Sequence, residues 1–126
     1  MAAILLIDDS AVQLRIRQTV LERAGFNVLS ATDADAAFAL MRSEAGASIN
    51  AVVTDHVMPD VSGSELVRHL RGLSADIPVV VISGLPEAIE EYAGLNVHFR
   101  YKPCQPAELI ELLRTVTAES RFSATA

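Results

Sequence analysis

Five residues of this 126-residue chain have types that do chemistry together: Asp8, Asp9, Asp55, Ser83 and Lys102. Each closes or follows a short aliphatic run. Asp8-Asp9 follows Ile4-Leu5-Leu6-Ile7, Asp55 follows Ala51-Val52-Val53-Thr54, Ser83 follows Val79-Val80-Val81-Ile82, and Lys102 follows Val97-His98-Phe99-Arg100-Tyr101. Three carboxylates gathered in one place repel one another and are driven toward their protonated forms. A hard divalent cation removes that difficulty, and Mg²⁺ favours a few carboxylates completed by water and phosphate oxygens. Asp55, at the end of the middle run, has the character of a nucleophile or acceptor. Ser83 offers a hydroxyl donor. Lys102 is the only lysine, and the other nine basic residues are Arg. A compact ammonium suits a point contact with a phosphoryl group, where a planar guanidinium fork fits less well. Pro103 makes the exit after Lys102 rigid, and a cis bond is one way to form it. Taken singly, these residues have plainer readings. Asp8-Asp9 would be a helix cap, Asp55 a strand terminator, Ser83-Gly84 a turn and Lys102 a surface charge. Their joint placement after aliphatic runs, at separations of 47, 28 and 19 residues from Asp8 through Asp55 and Ser83 to Lys102, favours a common site.

Such a site needs strands that end together. Short, continuous aliphatic runs suit strands buried on both faces of a parallel sheet. They predict strands at residues 4–7, 26–30, 51–53, 79–82 and 97–101. The last alternates Val97, Phe99 and Tyr101 with His98, Arg100 and Lys102, as an edge strand does. Between the runs the period turns helical. Ser10 with Gln13 reads as a capping box ahead of a stripe of Val12, Ile16, Val20 and Ala24, with Gly25 as the stop. Thr32 or Asp33 caps a helix predicted through Ala45. Ser62 with Glu65 starts another, with the stripe Leu66, Leu70 and Leu73. Pro86 starts a short helix ending near Gly94, and Pro106 starts the last one, with Leu109, Leu112, Leu113 and Val116 on one face. Residues 1–119 read as one domain and residues 120–126 as a flexible tail or linker stub. Five strands alternating with five helices imply an α/β fold, a parallel sheet with helices on both faces and ligands beyond the carboxyl ends of the strands.

Composition narrows the function. Hydrophobic residues make up 51% and charged residues 21%, a globular balance. There is no Trp, so the core is expected to be aliphatic. The single Cys104 excludes an internal disulfide and a cysteine-rich zinc site. A formal charge of −6 argues against direct binding to nucleic acid or anionic lipid. The apolar runs are too short to span a bilayer and no basic leader opens the chain, so a cytoplasmic protein is expected. No glycine-rich phosphate loop follows the first run, which argues against a nucleotide module. His69, with Arg68 and Arg71, reads as a solvated helix face. His56 adjoins Asp55 and could tune access to it.

Together the motifs Ile4-Leu5-Leu6-Ile7-Asp8-Asp9-Ser10, Val53-Thr54-Asp55-His56-Val57-Met58-Pro59-Asp60-Val61-Ser62-Gly63, Ile82-Ser83-Gly84 and Tyr101-Lys102-Pro103 resemble the chemotaxis-type receiver domain of two-component response regulators. The resemblance implies a flavodoxin-like (βα)5 three-layer sandwich with a five-stranded parallel sheet in the order 2-1-3-4-5. It implies that Asp55 is the phosphoryl acceptor. Asp8, Asp9 and Asp55 would hold Mg²⁺ with the backbone carbonyl of Val57. Ser83 and Lys102 would contact the phosphoryl oxygens, and Ser83 with Phe99 would form the switch. The implied partners are a histidine kinase or histidine phosphotransfer protein and a downstream effector. The implied state is a monomer or weak homodimer, and the domain is not expected to be a turnover enzyme. The alternatives are a phosphorylation-independent interaction module and the regulatory receiver of a hybrid histidine kinase. A Mg²⁺-dependent phosphatase would want a second carboxylate two residues past its nucleophile, and Val57 is not one.

Three features depart from the family pattern. Val57 and Leu85, two residues past Asp55 and Ser83, are apolar and cannot orient an attacking water, so slow self-dephosphorylation is expected. Pro86 to Gly94 leaves room for about two helical turns, which weakens the case for the family's usual self-association face. Cys104 stands where the family commonly has an aromatic and reads as a small buried hydrophobe.

Overall fold

The computed structural model describes residues 2–59 and 61–125, with side chains described as far as residue 118. Met1, Asp60 and Ala126 therefore lie outside the described residues. Five strands, β1 (Ala3–Ile7), β2 (Asn27–Ala31), β3 (Ile49–Asp55), β4 (Val79–Ser83) and β5 (His98–Tyr101), form one sheet in the order β2-β1-β3-β4-β5. Every pairing is parallel. Four α-helices, α1 (Ala11–Arg23), α2 (Ala34–Arg42), α3 (Gly63–Leu73) and α4 (Pro106–Thr125), alternate with the strands. Two 3-10 segments, Glu44–Ser48 and Pro86–Tyr92, complete the connections. This is the flavodoxin-like arrangement that the resemblance implies.

The period-two geometry of a strand sends neighbouring side chains to opposite faces. Leu5 and Ile7 of β1 join Val52, Val79 and Val81 on one side, where α2 and α3 contribute Phe38, Leu66, Val67 and Leu70. Ile4 and Leu6 join Val53, Val80 and Ile82 on the other, where α1 and α4 contribute Leu14, Leu21, Leu109, Leu113 and Val116. Three layers result. The inner strands β1 and β4 are buried along their whole length, which is why their sequences run apolar without alternation. Each fully buried Leu or Val in this set contributes about 1.5–3 kcal/mol by leaving water.

Several boundaries and faces differ from the sequence expectation. The stripe Val12, Ile16, Val20 and Ala24 faces the core only at its end: Val12 is 69% and Ile16 53% exposed, whereas Val20 is half-buried and Ala24 packs against the core. The inner row of α1 runs through Leu14 and Leu21, with Arg17 half-buried between them. These residues stand at i, i+3 and i+7, the spacing of a single helix face. α2 ends at Arg42 and not at Ala45, because Ser43 turns the chain and the 3-10 segment folds back to Gly46, which lies tight against Met41. Leu73 is 46% exposed, and Val67 takes its expected place in the core. The fourth connection is a 3-10 segment rather than an α-helix, and it leaves through positive-φ residues at Gly94 and Asn96. α4 continues helically past residue 119, since no Gly or Pro interrupts residues 107–125.

Arg71 does not lie on a solvated face. Its Nε donates to the Leu95 carbonyl at 2.8 Å, Nη1 to the Ile77 carbonyl at 2.6 Å, and Nη2 to the Asn96 carbonyl at 2.9 Å. The guanidinium thus joins α3 to the entrances of β4 and β5. Burial pulls it below the usual Arg range, and Asp76 works against that pull. His69 is exposed as expected, and it stacks on Phe38 with ring centres 4.1 Å apart.

Candidate functional site

The parallel register brings the strand ends together. Ile7 pairs with Thr54, Asp55 with Ile82 and Ser83 with Tyr101, so Asp8, Asp55, Ser83 and Lys102 emerge at one end of the sheet. One carboxylate oxygen each from Asp8, Asp9 and Asp55 lies within 4.8 Å of the other two. Asp8 and Asp55 are buried and Asp9 is exposed.

Both oxygens of Asp8 are engaged. Oδ1 accepts from the Ser10 backbone N–H at 2.9 Å, and Oδ2 accepts from Arg17 Nη1 at 3.0 Å. The first of these contacts belongs to the turn into α1. There Ser10 Oγ accepts from the Gln13 N–H, and Asp8 takes the Ser10 N–H that a full capping box would give to Gln13. Burial pushes the Asp8 carboxyl above its usual value, and the Asp55 charge adds to this. The Ser10 N–H, Arg17 and Lys102 pull it back.

Asp55 Oδ1 faces Lys102 Nζ at 2.8 Å, with the acid buried and the ammonium 43% exposed. Among the described residues, no aligned hydrogen bond reaches that oxygen. Its charge is met while its directional lone pairs are left available. The Lys102 backbone N–H donates to the Ser83 carbonyl at 2.8 Å, which fixes the end of β5 against β4, and the Lys102–Pro103 peptide is cis. Ser83 is 1% exposed, and its Oγ accepts from the Leu85 N–H at 3.0 Å. Phe99 pairs in register with Val81 and is half-buried. Its ring centre lies 5.7 Å from Tyr92 and 5.2 Å from Tyr101. The Val57 side chain is 60% and the Leu85 side chain 44% exposed. Cys104 is half-buried and packs against the α1–α4 core, and burial raises its thiol pKa.

A cluster made only of hard carboxylate oxygens, with one buried oxygen lacking an aligned partner, fits Mg²⁺ by donor type and by spacing.

Sequence reasoning passed over two groups. Arg17 carried a signal, because it stands on the same helix face as Leu14 and Leu21. The second group surrounds His56, which is buried rather than poised over Asp55. Its Nδ1 lies 2.6 Å from Tyr92 Oη and its Nε2 3.3 Å from Glu91 Oε2. Ser64 Oγ donates to Glu91 Oε1 at 3.0 Å, and Arg68 donates to the Glu91 carbonyl at 3.1 Å. The residue after Asp55 is thereby clasped to the end of the Pro86–Tyr92 segment. Burial raises the Tyr92 hydroxyl pKa, and Glu91 and Asp55 push it further. The Gly63 N–H donates to the His56 carbonyl at 2.7 Å, and a Cβ at residue 63 would come within 2.7 Å of the Asp55 carbonyl. Contacts spanning 36 residues leave no local pattern from which to read them.

Known proteins match this arrangement. The family model of the response regulator receiver domain matches residues 4–114. A probable transcriptional regulator, ycf27, of Porphyridium aerugineum is 34% identical over 116 residues, which is 90% of this chain and 47% of the relative. The response regulator SaeR of Staphylococcus epidermidis is 29% identical over 126 residues, 98% of this chain and 52% of the relative. The chain thus spans about half the length of these curated relatives. The crystal structure of a response regulator receiver domain protein from Clostridium thermocellum superposes with a TM-score of 0.89 at 25% identity, covering 97% of this chain and 98% of that one. Among the described residues, no helix is long and apolar enough to cross a membrane. Fold, strand-end residues and family match agree, and the chain belongs to the receiver domains of two-component response regulators.

Proposed function

We propose that this receiver takes a phosphoryl group onto Asp55 from a histidine kinase or histidine phosphotransfer protein and uses it to change binding to a downstream effector. The supporting observation is the three-carboxylate cluster, in which the buried Asp55 Oδ1 faces the Lys102 ammonium at 2.8 Å. Asp8, Asp9 and Asp55, with the Val57 carbonyl, would hold Mg²⁺. When bound, that ion supplies positive charge to the phosphoryl oxygens. An Asp55 carboxylate oxygen forms the new bond to phosphorus, while the bond from phosphorus to the donor imidazole nitrogen breaks. The electron pair stays with the imidazole. Lys102 then pairs with the phosphoryl oxygens, and the Ser83 hydroxyl donates to one of them.

The added group brings about −1.5 to −2 charge and three acceptor oxygens, by analogy with other phosphoresidues. Reorienting Ser83 toward it gives up the Leu85 N–H contact and frees the space beside β5 for Phe99. The two conformations then differ in contacts to one ligand, which is what a population shift requires. Exposed, apolar Val57 and Leu85 offer no group to activate water, so the acyl phosphate is slow to hydrolyse, and the domain is an acceptor rather than a turnover enzyme.

The test is incubation with Mg²⁺ and a small acyl phosphate, followed by intact mass. One added phosphoryl group, absent in Asp55→Asn, is the expected result. No mass gain in the native chain, or a gain that survives Asp55→Asn, overturns the proposal. Multiple turnover of a phosphoester would assign a phosphatase instead.

A further inference from the structure

Arg17 is an unusual residue for its position. It stands between Leu14 and Leu21 on the inner row of α1, a row otherwise committed to the aliphatic core. Its side chain is 17% exposed and the carboxylate of Asp8 only 2%. The guanidinium spends this placement on one contact, Nη1 to Asp8 Oδ2 at 3.0 Å. Asp8 is one of the three cluster acids, and its other oxygen is held by the Ser10 N–H. A buried carboxylate beside Asp55 needs a counter-charge, and α1 supplies it from within the chain.

We infer that Arg17 is the resident counter-ion of Asp8, which a divalent cation must displace or share, so that Arg17 sets how weakly the cleft holds that cation. This inference rests on the reading of the cleft as a divalent-cation site. Two cations cannot both sit against Asp8 without repelling each other. At a separation of about 5 Å, a single charge against a double charge in a water-like medium costs about tenfold in affinity. Lys102 plays the matching part at Asp55 Oδ1, but it is much more exposed and better screened by solvent. A side chain that merely propped Asp8 in place would have the opposite effect: its loss would loosen the cluster and weaken binding.

The experiment is a Mg²⁺ titration of the full chain at fixed ionic strength, followed by amide chemical shifts, for native protein, Arg17→Gln and Arg17→Lys. Arg17→Gln is expected to bind about tenfold more tightly, and Arg17→Lys, which keeps the charge, to stay near the native value. Equal or weaker binding in Arg17→Gln overturns the inference, and so does equal tightening in both variants. If no variant and no native protein binds Mg²⁺, the reading of the cleft itself fails, and the inference falls with it. A second measurement covers a variant that fails to fold. In the native chain the Arg17 guanidinium resonances should shift in step with Mg²⁺ saturation, and resonances unchanged at saturation overturn the inference.

Discussion

The two faces of the sheet are closed by different means. On the face of α1 and α4, full helices lay Leu14, Leu21, Leu109, Leu113 and Val116 over Ile4, Leu6, Val53, Val80 and Ile82. On the other face, α2 and α3 cover only part of the sheet, and the strip beside β5 is left to the Pro86–Tyr92 segment. That segment is too short for a broad apolar stripe. It is held by the clasp of His56, Tyr92, Glu91 and Ser64, while Arg71 ties the chain just beyond it. Where chain length allows a helix, non-directional burial suffices. Where it does not, directional bonds to particular atoms take over.

Substitutions on the two faces should therefore behave differently. The largest loss is expected from Leu113→Ala, since Leu113 is fully buried on the inner face of α4. Removing it should cost about 2–5 kcal/mol in denaturant unfolding, with effects spread over both α1 and α4. Arg71→Met should cost about 1–3 kcal/mol. Its signature is local, with faster amide exchange at residues 94–98 and little change on the α1 face. A loss spread evenly over the domain would erase the contrast. His56→Phe should cost about 1–2 kcal/mol by stranding the Tyr92 hydroxyl. In a double-mutant cycle with Tyr92→Phe, the pair should couple by at least about 0.5 kcal/mol, and additivity would show that the clasp carries no energy.

The smallest effect concerns the polar exception on the α1 face. The Asp8 carboxyl is raised above its ordinary value of 3.8 by burial. The folded state therefore keeps this proton to a higher pH than the unfolded chain does. Metal-free stability should fall as pH rises from that unfolded value through the folded one. Asp8→Asn should flatten this slope, as measured by unfolding midpoints at mildly acidic and neutral pH. An unchanged slope would move the titration to another group.

The same contrast explains what the sequence makes legible. Strand ends are readable because aliphatic runs fix where the sheet lies, and that places Asp8, Asp55, Ser83 and Lys102 without further information. The orientation of α1 is not. Two rows of that helix are apolar, and the one interrupted by Arg17 looks the poorer until Asp8 is seen beneath it. The fourth connection is legible in length but not in its fastening, since the partners of Glu91 and Tyr92 lie on distant segments. The reading of Arg71 as solvated failed for the same reason, whereas Arg68 is exposed as expected.

Val57 and Leu85 present bare hydrocarbon just past the ends of β3 and β4. A receiver built in this way would keep time poorly and keep a record well. Under the proposed function, the mark once written would persist until another protein erased it, and the length of the response would be decided outside this domain.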